Sequence, residues 1–267
     1  MRPVTHLETP AGTTTHGSRQ VGRRPVRFAS VVVSDLAERI ISGEIAEGGV
    51  LPTEPALGDE FGFSRTVIRE AVKTLAERGL VRVEQGRGTT VQPRSAWNML
   101  DPMVIEIALR YDTDLTLLDS LVAVRRALEQ EMARTAADRL TSADLERLDG
   151  CIAEMEATFG DYDRFREADQ AFHTVIMQAS GNEAGLTIVR TIHRHTGDMP
   201  AMIAVHGSTR KLLQETVDDH RAIRHALAAA DGQRAADLIA EHIDDAWAQR
   251  KRVVGRRGRT KVSDAVV

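Results

Sequence analysis

The sequence predicts a mainly α-helical protein in two parts, an N-terminal winged helix-turn-helix and a C-terminal all-α antiparallel helical bundle. Three observations carry this. Between residues 28 and 79 stand three helix-forming stretches, each followed by a glycine at its C-terminal stop. Two alternating runs, LVRVE and TTVQP, flank QGRG in the manner of a hairpin with a glycine-rich tip. Beyond PRSAWNMLDP no strand-like alternation occurs, and after Pro102 only Pro200 interrupts a succession of helical stretches.

Taken in order, residues 1–24 are rich in Thr, Gly, Pro, Ser and Arg without periodicity and read as a disordered tail. In FASVVVSDLAERIISGEI, Val32, Leu36, Ile40 and Ile41 share one helical stripe and Gly43 stops it. Thr53 can cap a short helix through Phe61, ended by Gly62, and Ser64 a longer one through Arg78, ended by Gly79. These elements and the hairpin make a winged helix-turn-helix over 25–94, with PRSAWNMLDP as the hinge to the second domain, 95–253. The spacing there predicts helices near 102–110, 115–139, 142–158, 161–180, 184–205, 209–230 and 233–253. Thr141, Asp161 and Asp231 stand at starts, and Gly160, Gly181 and Gly232 at breaks. Short connections make neighbours antiparallel. Residues 254–267 are polar and read as a flexible tail.

Composition narrows the setting. Cys151 is the single cysteine, so no internal disulfide can form and a reducing, cytoplasmic compartment is expected. The N-terminus has no apolar secretory core, and no run of eighteen apolar residues exists to span a membrane. The net charge of −4 divides into +2 over residues 1–95 and −6 over the remainder. So small an excess does not by itself announce a nucleic-acid partner, and the placement of the charges must.

That placement is informative. A helix-turn-helix reads the major groove with the N-terminal end of its second helix. Here that end is Ser64-Arg65-Thr66-Val67-Ile68-Arg69. Arg65 and Arg69, one turn apart, share a face, while Val67, Ile68, Ala71, Val72 and Leu75 supply the packing side. A guanidinium fork grips guanine O6 and N7 or a phosphate with two bonds, and the hydroxyls of Ser64 and Thr66 suit backbone oxygens. At the wing, Gln85, Gly86 and Arg87 can approach the backbone because glycine removes bulk. An ordinary solvated face is the alternative for any one of these arginines alone.

A second constellation lies in READQAFHTVIMQASGN, where Asp169 and His173 stand four apart on a stripe shared with Phe165 and Ile176. His220 aligns with Val217, Ile223 and Leu227, and His242 with Leu238, Ile239 and Ala246, so both point inward. Three imidazoles and one carboxylate form a set suited to Zn²⁺, Ni²⁺, Fe²⁺ or Mn²⁺, and the spacing does not choose among them. Satisfied core histidines are the competing reading, and His193, His195, His206 and His225 show that histidine is not rare here.

The motifs L-P-[ST]-E, S-R-T-x-[VI]-R-E-A, G-L-V and G-R-G-T, in that order across residues 25 to 94, resemble the DNA-binding domain of the GntR family of bacterial transcription regulators. The resemblance implies DNA contacts from Ser64, Arg65, Thr66, Arg69, Gln85, Gly86 and Arg87. One departure stands out: many members place an Arg directly after L-P-[ST]-E, where this chain has Pro55. Downstream, VRRALEQEMARTAADRLTSADLERL, DQAFHTVIMQASGN and DHRAIRHALAAADGQRAADLIAEH resemble the FCD effector domain of the FadR subfamily. In metal-binding members the ligands fall at positions that are here Asp169, His173, His220 and His242, with Zn²⁺ the first expectation and Ni²⁺, Mn²⁺ or Fe²⁺ the others. Such members hold small carboxylates on or next to the metal, often with an Arg at the position of Arg125, for which a salt bridge to Glu129 is the equal alternative. LPTEPAL and SAWNMLDPMVI further resemble the galactonate-repressor-like branch, which implies a sugar acid or hydroxy acid.

The function expected is therefore a homodimeric transcription regulator, a repressor before an activator. Its operator affinity would be controlled by a small carboxylate at a metal-containing cavity. It binds double-stranded operator DNA and no membrane. Two alternatives stay open, a metal-dependent enzyme fused to a DNA anchor and a regulator whose metal is purely structural. For the first, no separate general base is evident.

Overall fold

A computed structural model describes residues 23–196 and 210–263. Helix α1 (Arg23–Ile41) buries Val32, Val33, Leu36, Ala37 and Ile40 against α3 (Arg65–Glu77), with α2 (Glu54–Phe61) packed beside them. Thr53 caps α2 by accepting the Ala56 N–H, and Gly62 ends it in the left-handed region at φ 69°. Pro55 stands in the first turn of α2, where its missing N–H has no helical partner to lose. Ser64 holds the N-cap position of α3, but its side chain makes no capping bond, contrary to expectation; Arg78 is the C-cap and Gly79, left-handed at φ 76°, ends the helix as expected.

Strands β1 (Val81–Glu84) and β2 (Gly88–Val91) pair antiparallel, Val81 opposite Val91 and Glu84 opposite Gly88. The other edge of β2 is also used: Leu51 N–H donates to Thr89 O, Gly48 N–H to Val91 O and Val91 N–H to Gly49 O. Alternation in the sequence marks only the two hairpin strands. This third segment fastens the wing to the chain between α1 and α2.

Helix α4 (Pro102–Arg110) stands between two cores. Val104 and Ile107 belong to the apolar cluster of α1, α3 and the wing, while Ile105, Ala108 and Leu109 belong to the bundle cluster. The bundle follows with α5 (Thr116–Ala136), α6 (Ser142–Ala157), α7 (Tyr162–Ala179), α8 (Glu183–Thr196), α9 (Arg210–Ala228) and α10 (Gly232–Ser263). α5 lies against α7, α8 and α10; α6 packs on α7 and α9, and α9 on α10. Trp247 donates its indole N–H to Asp119 and Arg126 pairs with Asp244, both tying α10 to α5.

One boundary differs by more than a few residues from those expected. The break before α10 falls as expected, with Asp231 capping the helix through the Arg234 N–H and Gly232 its first residue. The helix continues to Ser263, past the expected end at 253. The stretch after Thr196, including Pro200 and His206, lies outside the described residues.

Candidate metal centre and nucleic-acid interface

α7 forms where it does because Asp161 caps it through the Arg164 N–H, and because Phe165, Ala168, Phe172, Val175 and Ile176 give it one apolar face. Asp169 and His173 project from that helix, His220 from α9 and His242 from α10. The three imidazoles are buried, His173 and His220 completely, and Asp169 retains 19% side-chain exposure. One ligand atom from each residue lies within 4.8 Å of all the others. Asp169 Oδ1 is 3.2 Å from His220 Nε2 and 4.0 Å from Nε2 of both His173 and His242. Phe172 packs edge-on against the His220 ring at 4.5 Å, forming part of the apolar wall.

The outward nitrogens explain the inward ones. His173 Nδ1 meets Glu129 Oε2, His220 Nδ1 meets the Thr216 carbonyl at 2.7 Å, and His242 Nδ1 faces Asp219 at 3.4 Å. An acceptor at Nδ1 keeps the proton there and leaves Nε2 as a lone pair aimed at the centre. Nε2 of His173 and of His220 are buried without a well-formed hydrogen bond, the 3.2 Å approach of His220 Nε2 to Asp169 Oδ1 included, a costly state unless something else binds them. Burial first, then the charge of His220, lowers His242 to about 4, so its ring is neutral at physiological pH. For Asp169 burial works in the opposite direction, but the neighbouring imidazoles, His220 foremost, outweigh it and hold the carboxyl well below its usual range. A neutral His242 ring, two further imidazoles with orphaned Nε2 atoms and a carboxylate fit a divalent transition metal.

Four groups around this centre escaped the sequence reading as parts of it. Asp219 and the Thr216 carbonyl stand behind the Nδ1 atoms of His242 and His220, and nothing in the sequence marks either. Glu129 is 2% exposed, takes the Arg125 Nε–H at 2.5 Å and also the His173 contact. A signal for it existed: Glu129 shares the inward stripe of α5 with Met132, Ala133 and Ala136. Its carboxyl is held down against the effect of burial by Arg125 and His173. His193 of α8 brings Nε2 to 3.8 Å from Glu129 Oε1. Arg125 itself is 11% exposed and makes the Glu129 salt bridge that was its alternative reading.

At the other end of the molecule Ser64, Arg65, Thr66 and Arg69 are exposed together, while Val67, Ile68, Ala71, Val72 and Leu75 are buried. Among the described residues, neither Arg65 nor Arg69 has an ion-pair partner. Gln85, Gly86 and Arg87 form the exposed wing tip; Gly86 at φ 80° and Gly88 at φ 88° take the left-handed turn that other residues rarely adopt. Arg87 is 83% exposed, with Glu84 3.8 Å away.

A winged helix with a bare basic reading end, joined to a bundle around a polar centre, defines a DNA-binding regulator with a ligand-sensing domain. Comparison with known proteins agrees. Residues 28–91 match the family of bacterial regulatory proteins called gntR, and residues 120–245 match the FCD domain. The galactonate operon transcriptional repressor of Escherichia coli K12 is 32% identical, over 76% of this chain and 88% of its own. The Glc operon transcriptional activator of the same organism is 33% identical over 60% of this chain and 63% of its own. In fold, the chain is similar to Lar, described as controlling expression of the Listeria monocytogenes agr system, with TM-score 0.51, 20% identity and coverage of 84% and 96%. The chain belongs to the GntR family of transcription regulators, in the branch that carries an FCD domain. These relatives are regulators, so the fused-enzyme alternative falls away. No described helix is long and apolar enough to cross a membrane.

Proposed function

We propose that the protein is a homodimeric repressor whose grip on a palindromic operator is controlled by a small hydroxylated carboxylate bound at a divalent metal, Zn²⁺ first among the candidates. The observation that carries the metal half is the convergence of Asp169, His173, His220 and His242 within 4.8 Å, with unpartnered lone pairs on two of the imidazoles. A metal there supplies a positive centre that a carboxylate with an adjacent hydroxyl can chelate. Arg125, on the helix that also carries Glu129, is the proposed anchor for the acid.

The DNA half rests on Ser64, Arg65, Thr66 and Arg69 at the head of α3 and on Gln85, Gly86 and Arg87 in the wing. Pro55 leaves no side-chain donor where many relatives have Arg, so the register on DNA falls to the remaining contacts. Repression is preferred because the 32% identical relative is named a repressor, and a sugar acid because that relative serves a galactonate operon. The effector would act by population shift, changing the spacing of the two reading helices and so the fit to both half-sites.

Gel shifts on the upstream region of the protein's own gene, with and without D-galactonate and a chelator, test this. Release of DNA by the acid, abolished by the chelator, is the expected outcome. Binding indifferent to every hydroxy acid and to chelation removes the effector reading. The double variant Arg65→Ala with Arg69→Ala is expected to lose at least ~30-fold in affinity, from about 1–3 kcal/mol per good arginine contact. Unchanged affinity removes the DNA assignment. His220→Ala is expected to purify without stoichiometric metal; full metal content in that variant removes the ligand set.

A further inference from the structure

Glu129 is a buried carboxylate with two different claims on it. Oε2 accepts from His173 Nδ1 and Oε1 accepts from Arg125 Nε at 2.5 Å, so each oxygen serves one donor. The residue is 2% exposed, and a carboxylate so placed keeps its charge only beside a cation. Arg125 is one such cation, one turn back on the same helix, and a metal-bound His173 would be a second, so that with metal present Glu129 stays charged even without Arg125. His193 Nε2 also borders Oε1, at 3.8 Å. Water is therefore no substitute for either partner, and whatever changes the charge on Arg125 is felt at His173.

We infer that Glu129 is a positioning residue for the metal centre, which orients His173 and sets its donor strength, and that Arg125 tempers it. The inference rests on the four-residue metal set proposed above. Its physical content is a chain of three groups. A charged Glu129 at Nδ1 locks the His173 ring with Nε2 inward and makes Nε2 a better donor. Arg125 draws part of the carboxylate's negative charge toward itself and so weakens that effect. An anion that pairs with the Nη edge of Arg125 relieves this pull and strengthens the hold on the metal. By linkage the metal strengthens the hold on the anion by the same factor. The arrangement thus gives a reason for Arg125 to spend its Nε on Glu129: the bond fixes the guanidinium plane. Among the described residues, no acceptor is bonded to Nη1 or Nη2.

The two ends of this chain respond in opposite senses. Removing the charge of Glu129 weakens metal binding; removing the charge of Arg125 does not. An ion pair that served only to hold the bundle together would weaken it from either side. The experiment is a Zn²⁺ titration of the full chain in competition with a chromophoric chelator, for wild type, Glu129→Gln, Glu129→Asp and Arg125→Gln. Glu129→Gln is expected to lose about 10–100-fold in Zn²⁺ affinity. Glu129→Asp recovers part of it, because the charge is kept on a shorter arm. Arg125→Gln binds Zn²⁺ as tightly as wild type or more tightly. Melting curves of the metal-stripped proteins report folding separately, and should Glu129→Gln not fold, the Asp and Arg125 variants decide on their own. Wild-type affinity in Glu129→Gln overturns the inference, as does a parallel loss in Arg125→Gln. A wild-type protein that takes up no Zn²⁺, or keeps it after His220→Ala, overturns the metal reading and the inference with it.

Discussion

His193 is lowered to about 3, by burial first and by the charge of Arg125 next, so it is neutral in the folded protein at every moderate pH. In the unfolded chain its value is near ~6.5. Between the two, the unfolded state holds a proton that the folded state does not, so stability rises with pH across that window. The contribution is fully present above ~6.5 and is lost as pH falls, at up to about 1.4 kcal/mol per pH unit. Urea unfolding of metal-stripped protein from pH ~7 to ~5 checks this. His193→Asn is expected to lose less stability over that range than wild type, and equal slopes would refute the assignment. The same scale shows why the four candidate ligands were legible in the sequence while Asp219 and the Thr216 carbonyl were not. A histidine on an apolar stripe announces itself through periodicity. A second acceptor behind it depends on which turn of its own or a neighbouring helix happens to lie within reach.

Among the elements, glycines and caps decide boundaries, and here some local signals were read correctly and others were not. Gly79 at φ 76° places its missing Cβ 2.1 Å from the Ala96 carbonyl oxygen. Gly79→Ala therefore meets both an unfavourable backbone region and a backbone clash, and a loss above ~2 kcal/mol is expected in denaturant unfolding. Thr141 and Asp144 form a reciprocal capping box at the start of α6, and Thr141→Ala should cost ~1 kcal/mol. That cap could be read directly, since both partners lie within four residues. The start of α5 could not: its Leu117 and Leu118 N–H groups donate to Asp112, several residues upstream, across a left-handed Leu115. Ser64 shows the converse, a residue of the right type in the capping position whose side chain makes no capping bond. Composition proposes a cap, and the path of the preceding chain decides whether the side chain reaches.

Across the whole molecule, α4 is the joint. Its two faces bury Val104 and Ile107 in one core and Ile105, Ala108 and Leu109 in the other. Asp101 caps it through the Met103 and Val104 N–H groups and also takes Arg78 Nε at 3.0 Å, so the end of the reading helix is tied to the start of the joint. At its other end, Arg110 and Tyr111 both bind Glu38 of α1. Asp101→Ala removes a cap and a charged hydrogen bond at once and is expected to cost about 2–3 kcal/mol. Calorimetry should also show the two domains melting further apart; an unchanged profile would mean that the apolar faces of α4 alone couple them.

The sequence by itself determined the fold class and the two-part order, and it placed the four metal-set residues on inward faces. Those properties follow from helical period and from turn chemistry, which act over a few residues. Only the tertiary structure decided that α7, α9 and α10 bring those four side chains within 4.8 Å, that Glu129 stands behind His173, and that β2 has a second partner at 48–51. Such facts depend on how far each helix is rotated and slid against its neighbours. That is set by the packing of whole cores such as the one around Phe172, to which no single stretch of sequence holds the key.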